Sequence, residues 1–401
     1  MGGGPGGCAR SPARGNDRPS RADRVRRSVP VPPLIGRLRR ALGVTRIARL
    51  TSLDRAGIEV HSAIRPRGHI LQVCNGKGLS RADAELSALC ETAELVSAET
   101  VGARVERFGS PLELRRAGLP FWPHGVCCGS AGWLVVPELA GESIRSAWAV
   151  ARELGSGAPV WVPAQVLFCP PQSSADLGPI AVAWASNGTG AHPDPDEALR
   201  HALLEACERE LLVRALPSGW TPPVLLSRRL THGSLAKHAP AVAEQVERLS
   251  QRGFDVALFD LTLDDGLGLP LAGALLVDRE EGPVPIAAGY ACRTSPAEAL
   301  MAALLEAAQS RLTDIHGARE DVAPMATLSV QLLRGALRSA GAIREVTEMP
   351  SPRARTADEV FAILRAHGVS RAAAYDLTAP GLPVRVIRVI VPGFRISELL
   401  V

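Results

Sequence analysis

The chain has 401 residues, 46% hydrophobic and 21% charged, a balance that excludes wholesale disorder and is long enough to bury a sizeable core. No apolar run approaches the ~18 residues a membrane-spanning helix needs, so no membrane association is expected. Lys and Arg total 45 against 41 Asp and Glu, but residues 1–50 alone hold twelve Arg and two Asp; the remainder is mildly acidic, which argues against a nucleic-acid-binding body.

Residues 1–30 are rich in Gly, Pro, Ser and Arg and lack periodicity. They are expected to be a disordered tail, with one catalytic domain over 31–401. Arg26-Arg27 is followed by a Pro-rich stretch and not by an apolar helix, so no secretion signal is expected. The eight cysteines form no C-x-x-C pair, which disfavours a structural zinc site and suggests a reducing, cytoplasmic setting.

Leu53-Asp54-Arg55-Ala56-Gly57 leads into an apolar stretch, Ile58–Ile64, that predicts a strand. Asn75-Gly76-Lys77-Gly78 follows, and Lys77 is one of only two lysines. Its glycines permit either close approach to a phosphate or a plain flexible turn. It is not a P-loop, because Leu71 stands where the first Gly belongs and Gly78 replaces the Ser/Thr. Ser80-Arg81-Ala82-Asp83 then opens a capped helix. Residues 100–180 are less legible. His124 with Cys127-Cys128 suggests either a nucleophile or a buried thiol pair. Ser186-Asn187-Gly188-Thr189-Gly190 precedes a second cap, Asp194-Pro195-Asp196-Glu197, and Ser295-Pro296-Ala297-Glu298 is a third. Each cap has an acid three residues on, and two have Pro at the first helical position. Phe259-Asp260-Leu261-Thr262 and Tyr375-Asp376-Leu377-Thr378 each lead through Gly-Leu-Pro into an apolar run, predicting two similar hairpins. Amphipathic helices around 239–252 and 357–367 precede them, ended by Gly253 and Gly368. The pattern is that of an α/β or α+β body built from repeated units.

Eleven residues after each cap stands a glutamate: Glu91, Glu205 and Glu306. Three residues later come Glu94, Glu208 and Gln309. Ser87, Glu91 and Glu94 share one helix face, and Arg209 adjoins Glu208. The flanking Ala and Leu positions belong to a core, so these carboxylates lie beside apolar surface. There they take up protons unless cations neutralise them; hard divalent ions such as Mg²⁺, which bring phosphates with them, do so. No E-x-x-H pair indicates a di-iron bundle.

These stretches together resemble the YcaO superfamily. The resemblance rests on Leu53-Asp54-Arg55-x-Gly57, Asn75-Gly-Lys-Gly78, Ser87-x3-Glu91-x2-Glu94, Ser186-Asn-Gly188, Glu197-x7-Glu205-x2-Glu208-Arg209, Gln309-x-Arg311, Gly317-Ala-Arg-Glu-Asp321 and the two D-L-T hairpins. It implies an α+β YcaO-like fold with mixed sheets around one ATP site. It further implies an enzyme that activates a peptide backbone amide by phosphorylating its oxygen. The implied metal ligands are Glu91, Glu94, Glu197, Glu205 and Glu208. The implied nucleotide contacts are Ser87, Arg209, Lys77 and Gln309, with Arg209 and Arg311 as catalytic residues. Ala191-His192-Pro193 departs from the Ala-Gly-Asn usual in the family. The Val391-Pro392-Gly393 ending, without a Pro-rich terminus, is similar to members that work with a TfuA partner and form thioamides. Thioamide formation on a precursor peptide, with a TfuA-like or leader-binding partner, is therefore expected. Azoline formation and a non-catalytic peptide-binding scaffold are the alternatives, and a homodimer is compatible with the sequence.

Overall fold

A computed structural model describes residues 1–2, 31–101, 104–128, 136–169, 177–318, 327–339 and 341–395. The expected tail from residue 3 to 30, Arg319-Glu320-Asp321 and the residues from Ile396 onward lie outside these. Helix α1 (Val31–Ala41) leads into an antiparallel sheet of β1 (Arg46–Arg49), β2 (Glu59–Ile64) and β3 (Val73–Gly78), which α2 (Arg81–Glu99) covers. Next come β4 (Arg107–Gly109), α3 (Pro111–Arg116), α4 (His124–Cys128), β5 (Ser146–Glu153) and β6 (Pro159–Pro163). They are followed by β7 (Thr189–His192), α5 (Pro195–Ala215), α6 (Pro222–Arg228), α7 (His232–His238) and α8 (Pro240–Gln251). A second three-stranded sheet joins β8 (Phe254–Asp260), β9 (Leu271–Asp278) and β10 (Ile286–Cys292), and α9 (Pro296–His316) packs on it. After α10 (Thr327–Ser339) and α11 (Ala357–Ala366), β11 (Ala373–Asp376) and β12 (Arg385–Ile390) complete a six-stranded sheet, ordered β4-β5-β11-β12-β7 with β6 also on β5. Ladders between these strands are antiparallel; parallel pairing enters at isolated bridges such as Phe121–Trp161.

The three expected caps form. Ser80 accepts from the Asp83 amide, Asp194 from Asp196 and Glu197, and Ser295 from Glu298. What the sequence left open is why alanines recur four and eight residues after each cap. Each helix lies directly on the strand before it, at a glycine. A Cβ on Gly76 would sit 2.0 Å from the Ala88 nitrogen, and one on Gly190 2.4 Å from the Ala198 oxygen. One on Gly289 would sit 2.2 Å from Ala303 and Ala307 backbone atoms. Glycine on the strand and alanine on the helix let the two backbones touch. Asn75-Gly-Lys-Gly78 is therefore strand β3 and not a turn, and Gly76 and Gly78 face α2 rather than a phosphate.

The three helix–strand units close into a ring. Besides its own sheet, α2 packs on β7, α5 on β10, and α9 on β3. Each helix thus leans on the strand of the next unit, so equivalent positions of all three face a common centre.

The D-L-T repeat has a different, purely structural basis. Asp260 accepts from the Thr262 amide (3.0 Å) and the Thr262 hydroxyl from the Leu271 amide (3.2 Å). Asp376 and Thr378 repeat this toward Val386 (3.0 and 2.9 Å). Both hairpins are thereby pinned in register as the chain leaves the first strand. The left-handed Gly253 and Gly368 follow α8 and α11 as expected.

Candidate functional site

Five carboxylates meet inside the ring, Glu91, Glu94, Glu205, Glu208 and Glu306, each supplied by a helix at a fixed offset from its cap. Glu94 of α2 accepts from the Ala191 amide at the end of β7 (2.9 Å). Glu208 of α5 accepts in the same manner from the Cys292 amide at the end of β10 (3.1 Å). Both acids lie fourteen residues after their caps, and both amides three residues before the next cap. On α9 the same offset falls on Gln309, and the corresponding strand residue is Lys77. Here the side chain of Lys77 closes the ring, its Nζ 3.1 Å from Glu306 Oε2. Ser87 accepts the Lys77 amide at 3.4 Å. The Arg209 guanidinium stands 3.7 Å from Glu208, and Arg293 3.9 Å from the same carboxylate.

Five acids, Glu91, Glu94, Glu205, Glu208 and Glu306, face four cations, Lys77, Arg209, Arg293 and Arg388, and the protonation equilibria follow from that excess together with burial. Burial, then the charges of Glu205 and Glu91, push Glu94 well above the usual carboxylate range. Burial raises Glu205 to about 7, with Glu208 adding to it and Arg209 opposing. Glu208 is also raised, by burial and then by Glu306, despite Arg209 and Arg293. Burial pushes Glu306 upward too, but Lys77 and Arg209 together outweigh it and hold it below the usual range. Buried carboxylates that outnumber the cations around them take up protons until more positive charge arrives. Its all-oxygen donor set suits a hard divalent cation, and the clustered Arg and Lys suit the phosphates such a cation accompanies.

Not every predicted site residue enters this ring. Glu91 does, since its charge acts on Glu94. Glu197 lies two turns before Glu205, about 12 Å along α5, and its carboxylate is held by Arg200 at 2.8 Å. Arg311 points elsewhere. Five residues beyond Glu306, it is turned roughly 140° around the helix. Its side chain is 1% exposed and binds Asp54 through two nitrogens (2.8 and 3.0 Å), Asp278 (2.8 Å) and the Val284 carbonyl. Neighbouring Arg55 pairs with Asp278 and the Arg252 carbonyl (2.9 Å), and both guanidiniums lie over the Phe254 ring. Leu53-Asp54-Arg55-x-Gly57 is thus a tie between the first sheet, α9 and the second sheet.

Two contributors escaped sequence reasoning. Arg388 on β12 is 1% exposed, donates to the Thr189 hydroxyl at 3.0 Å and acts on both Glu94 and Glu205. Arg293 follows β10. Neither lies in a motif; the only signals are an arginine inside the apolar strand β12 and one just after β10. Glu306, whose helix carries Gln309 where the other two carry an acid, is a full member of the ring. The departure at Ala191-His192-Pro193 keeps a backbone donor at Ala191, while the His192 and His201 rings stack edge to face 5.6 Å apart. Burial holds His124 down to about 4 and Cys127 well above the usual thiol range. That leaves no thiolate–imidazolium pair for nucleophilic attack.

Residues 75–395 match the family model described as YcaO cyclodehydratase, ATP- and Mg²⁺-binding. An uncharacterized protein in the tfuA 3′ region of Rhizobium leguminosarum bv. trifolii is 28% identical over 376 residues, covering 89% of this chain and 85% of that protein. An uncharacterized protein of Methanothermobacter thermautotrophicus is 30% identical over 290 residues, 70% of this chain and 68% of that one. Among solved structures, YcaO from Methanopyrus kandleri bound with AMPPCP and Mg²⁺ superposes with a TM-score of 0.68 at 21% identity, covering 92% of this chain and 93% of that one. A heterocyclase in complex with substrate and cofactor gives 0.66 at 17% identity, covering 88% and 50%. Among the described residues no helix is long and apolar enough to cross a membrane. The fold, the acid ring and the match over most of its length show that this chain belongs to the YcaO family of ATP- and Mg²⁺-dependent enzymes.

Proposed function

We propose that the chain converts a backbone amide of a ribosomally made peptide or protein into a thioamide, using ATP, a sulfur donor and a TfuA-like partner. The observation that carries the ATP step is the excess of buried acids in the ring, Glu91, Glu94, Glu205, Glu208 and Glu306, over Lys77, Arg209, Arg293 and Arg388. Glu91, Glu94, Glu205 and Glu208 would hold Mg²⁺; Glu197, about 12 Å away along α5, would serve only a second ion and would first have to leave Arg200. Lys77, Ser87, Arg209 and Gln309 would contact the nucleotide. The bound metal and nucleotide supply a phosphoryl group and the charge stabilisation for its transfer.

The residues of the chain do the rest. Arg209, 3.7 Å from Glu208 and acting with Glu205 and Glu306, would face the charge that develops on the phosphoryl oxygens. The Ala191 and Cys292 amides fix the carboxylate rotamers, so their oxygens need no reorganisation when a cation arrives. Arg311 acts by anchoring α9, which sets the position of Glu306. An amide oxygen is a poor leaving group, and phosphorylation converts it into phosphate. Sulfur takes its place on carbon, while the oxygen leaves with the phosphoryl group. The choice of sulfur follows the Val391-Pro392-Gly393 motif and the similarity to a protein in the tfuA 3′ region.

The test is mass spectrometry of a precursor peptide incubated with the chain, ATP, a TfuA-like partner and sodium sulfide. A mass gain equal to sulfur replacing oxygen is expected. Loss of one water, the azoline outcome, would replace this reading. In parallel, Lys77→Ala should weaken binding of a nonhydrolysable ATP analogue about tenfold without unfolding the protein; unchanged affinity removes Lys77 from the nucleotide site.

A further inference from the structure

The second three-stranded sheet ends on β8, and half of that edge has no strand beside it. Phe259 bridges to Arg229, and the Leu258 carbonyl accepts from the Leu230 amide. The chain then turns away at Thr231 into α7. Backbone groups along an antiparallel strand point alternately to its two sides. Leu258 points outward, so the amides and carbonyls of Val256 and Phe254 point outward too. Among the described residues no backbone partner meets them.

A slot of about 670 Å³ runs along this edge. Val246 and Ser250 of α8 form one wall, and Arg334, Leu337 and Arg338 of α10 the other. The walls stand on opposite faces of the sheet: α8 shares a core with Phe254 and Leu258, α10 with Ala257 and Phe259. The covering layers of a second folded sheet would collide with these helices. A single extended segment fits, with alternate side chains on Val246 and on Leu337.

The slot also has a sign. Arg279 is paired with Asp255 (3.6 Å) and Arg334 with Glu281 (3.0 Å), while Asp278 belongs to the Arg55–Arg311 cluster. Arg338 lines the slot with no acidic partner among the described residues. A segment bearing Asp or Glu is therefore drawn in. The first thirty residues of this chain hold seven Arg and two Asp, and a second copy presents the same Arg338. Both carry the wrong sign.

We propose that β8 is the docking edge for the peptide substrate: an acidic stretch of the precursor adds to it as a strand beside Phe254 and Val256. This rests on the reading of the chain as a peptide-modifying enzyme and not on the choice of sulfur. Main-chain hydrogen bonds hold the stretch whatever its sequence, and Arg338 selects for an acid. Val256 lies opposite Leu276, and Leu276 opposite Ala287, five residues before Cys292 at the acid ring. At ~4.8 Å per strand and ~3.4 Å per residue, the docked stretch is about 20 Å from the ring, a gap that about seven extended residues cross. The docked stretch and the modified amide are thus separate parts of one peptide.

Hydrogen–deuterium exchange on the full chain tests the edge. The Phe254 and Val256 amides should exchange fast in the chain alone and about tenfold more slowly with a synthetic peptide alternating Glu and Val. A peptide alternating Lys and Val should leave them fast. Slow exchange without peptide overturns the proposal: a second copy covers the edge if the slowing grows with protein concentration, the chain itself if it does not. Absence of protection, or equal protection by the Lys peptide, overturns it too. Val256→Pro removes one outward amide, a change that an edge strand tolerates. It should raise the KM for the precursor peptide about tenfold, while the affinity for a nonhydrolysable ATP analogue stays within about twofold. Arg338→Glu should raise the same KM by a smaller factor. An unchanged precursor KM in both variants overturns the docking role. Failure of the functional reading is distinguishable: wild-type protein would then leave the precursor unmodified, whatever the exchange at β8.

Discussion

Helix α9 carries a member of each of two buried charge clusters, and they behave in opposite ways. On one face, Arg311 and Arg55 meet Asp54 and Asp278, two cations against two acids. Burial alone raises Asp278, but Arg55, the Glu280 amide and Arg311 outweigh it and leave its carboxyl below the usual range. On the other face, Glu306 joins Glu94, Glu205 and Glu208, and the first of these sits far above that range while Glu205 reaches about 7. Both clusters are hydrogen-bonded and both lie beside apolar surface. The difference is that one is neutral as it stands and the other waits for positive charge. A balanced buried network holds elements together; an unbalanced one marks where a cation belongs.

The sharpest way to separate the two is to remove one member from each. Glu205→Gln keeps the shape of the ring but removes a metal ligand. ATP turnover should fall on the order of a thousandfold, while the melting temperature of the metal-free protein rises because like-charge repulsion is relieved. Retained turnover would show that the ring is not the ATP site. Arg311→Ala should do the reverse. It strands Asp54 in the interior and leaves Asp278 with Arg55 alone, at a cost of about 3–5 kcal/mol, visible as a large drop in denaturant midpoint. A variant with unchanged stability but no turnover would make Arg311 a phosphate contact after all and erase the contrast drawn between the faces.

The smallest effect is the pH dependence of the metal-free protein. Between the ordinary carboxylate value and about 7, the native state holds a proton on Glu205 that the unfolded chain has released. Stability must therefore fall as pH rises through this window, by on the order of 3 kcal/mol from Glu205 alone. Chemical denaturation from pH 5 to 8 measures it. Glu205→Gln should flatten the slope, and Mg²⁺ with an ATP analogue should reverse it; a stability that rises with pH contradicts the raised value.

Much of the site was legible because its parts are local. The Ser80, Asp194 and Ser295 caps are satisfied within three residues, and the offset of eleven to Glu91, Glu205 and Glu306 is counted along single helices. The repeated Asp-x-Thr devices of the two hairpins close within a few residues of themselves, so they too could be recognised as repeats. The misread parts depend on distant partners. The sequence leaves Gly76 and Gly78 open between a phosphate approach and a plain turn, because the α2 backbone they face is invisible in the motif. Arg311 looked like a neighbour of Gln309 because the two are close in sequence, yet helical rotation sends it to Asp54, 257 residues away. Arg388 could not be found at all: nothing near it in sequence says that β12 runs beside Glu94 and Glu205.

The sequence by itself determined the repeated unit: a glycine-bearing strand, a capped helix, and acids at set distances from the cap. These follow from backbone hydrogen bonding and the 3.6-residue period, which act over a turn or two. Only the tertiary structure decided that three such units lean on one another in a ring, with Glu94 answered by Ala191 and Glu208 by Cys292. It also decided which buried charges are balanced and which are not. Electrostatic balance in a low-dielectric interior is a sum over every charge brought within a few ångströms, and that sum is set by how the units pack.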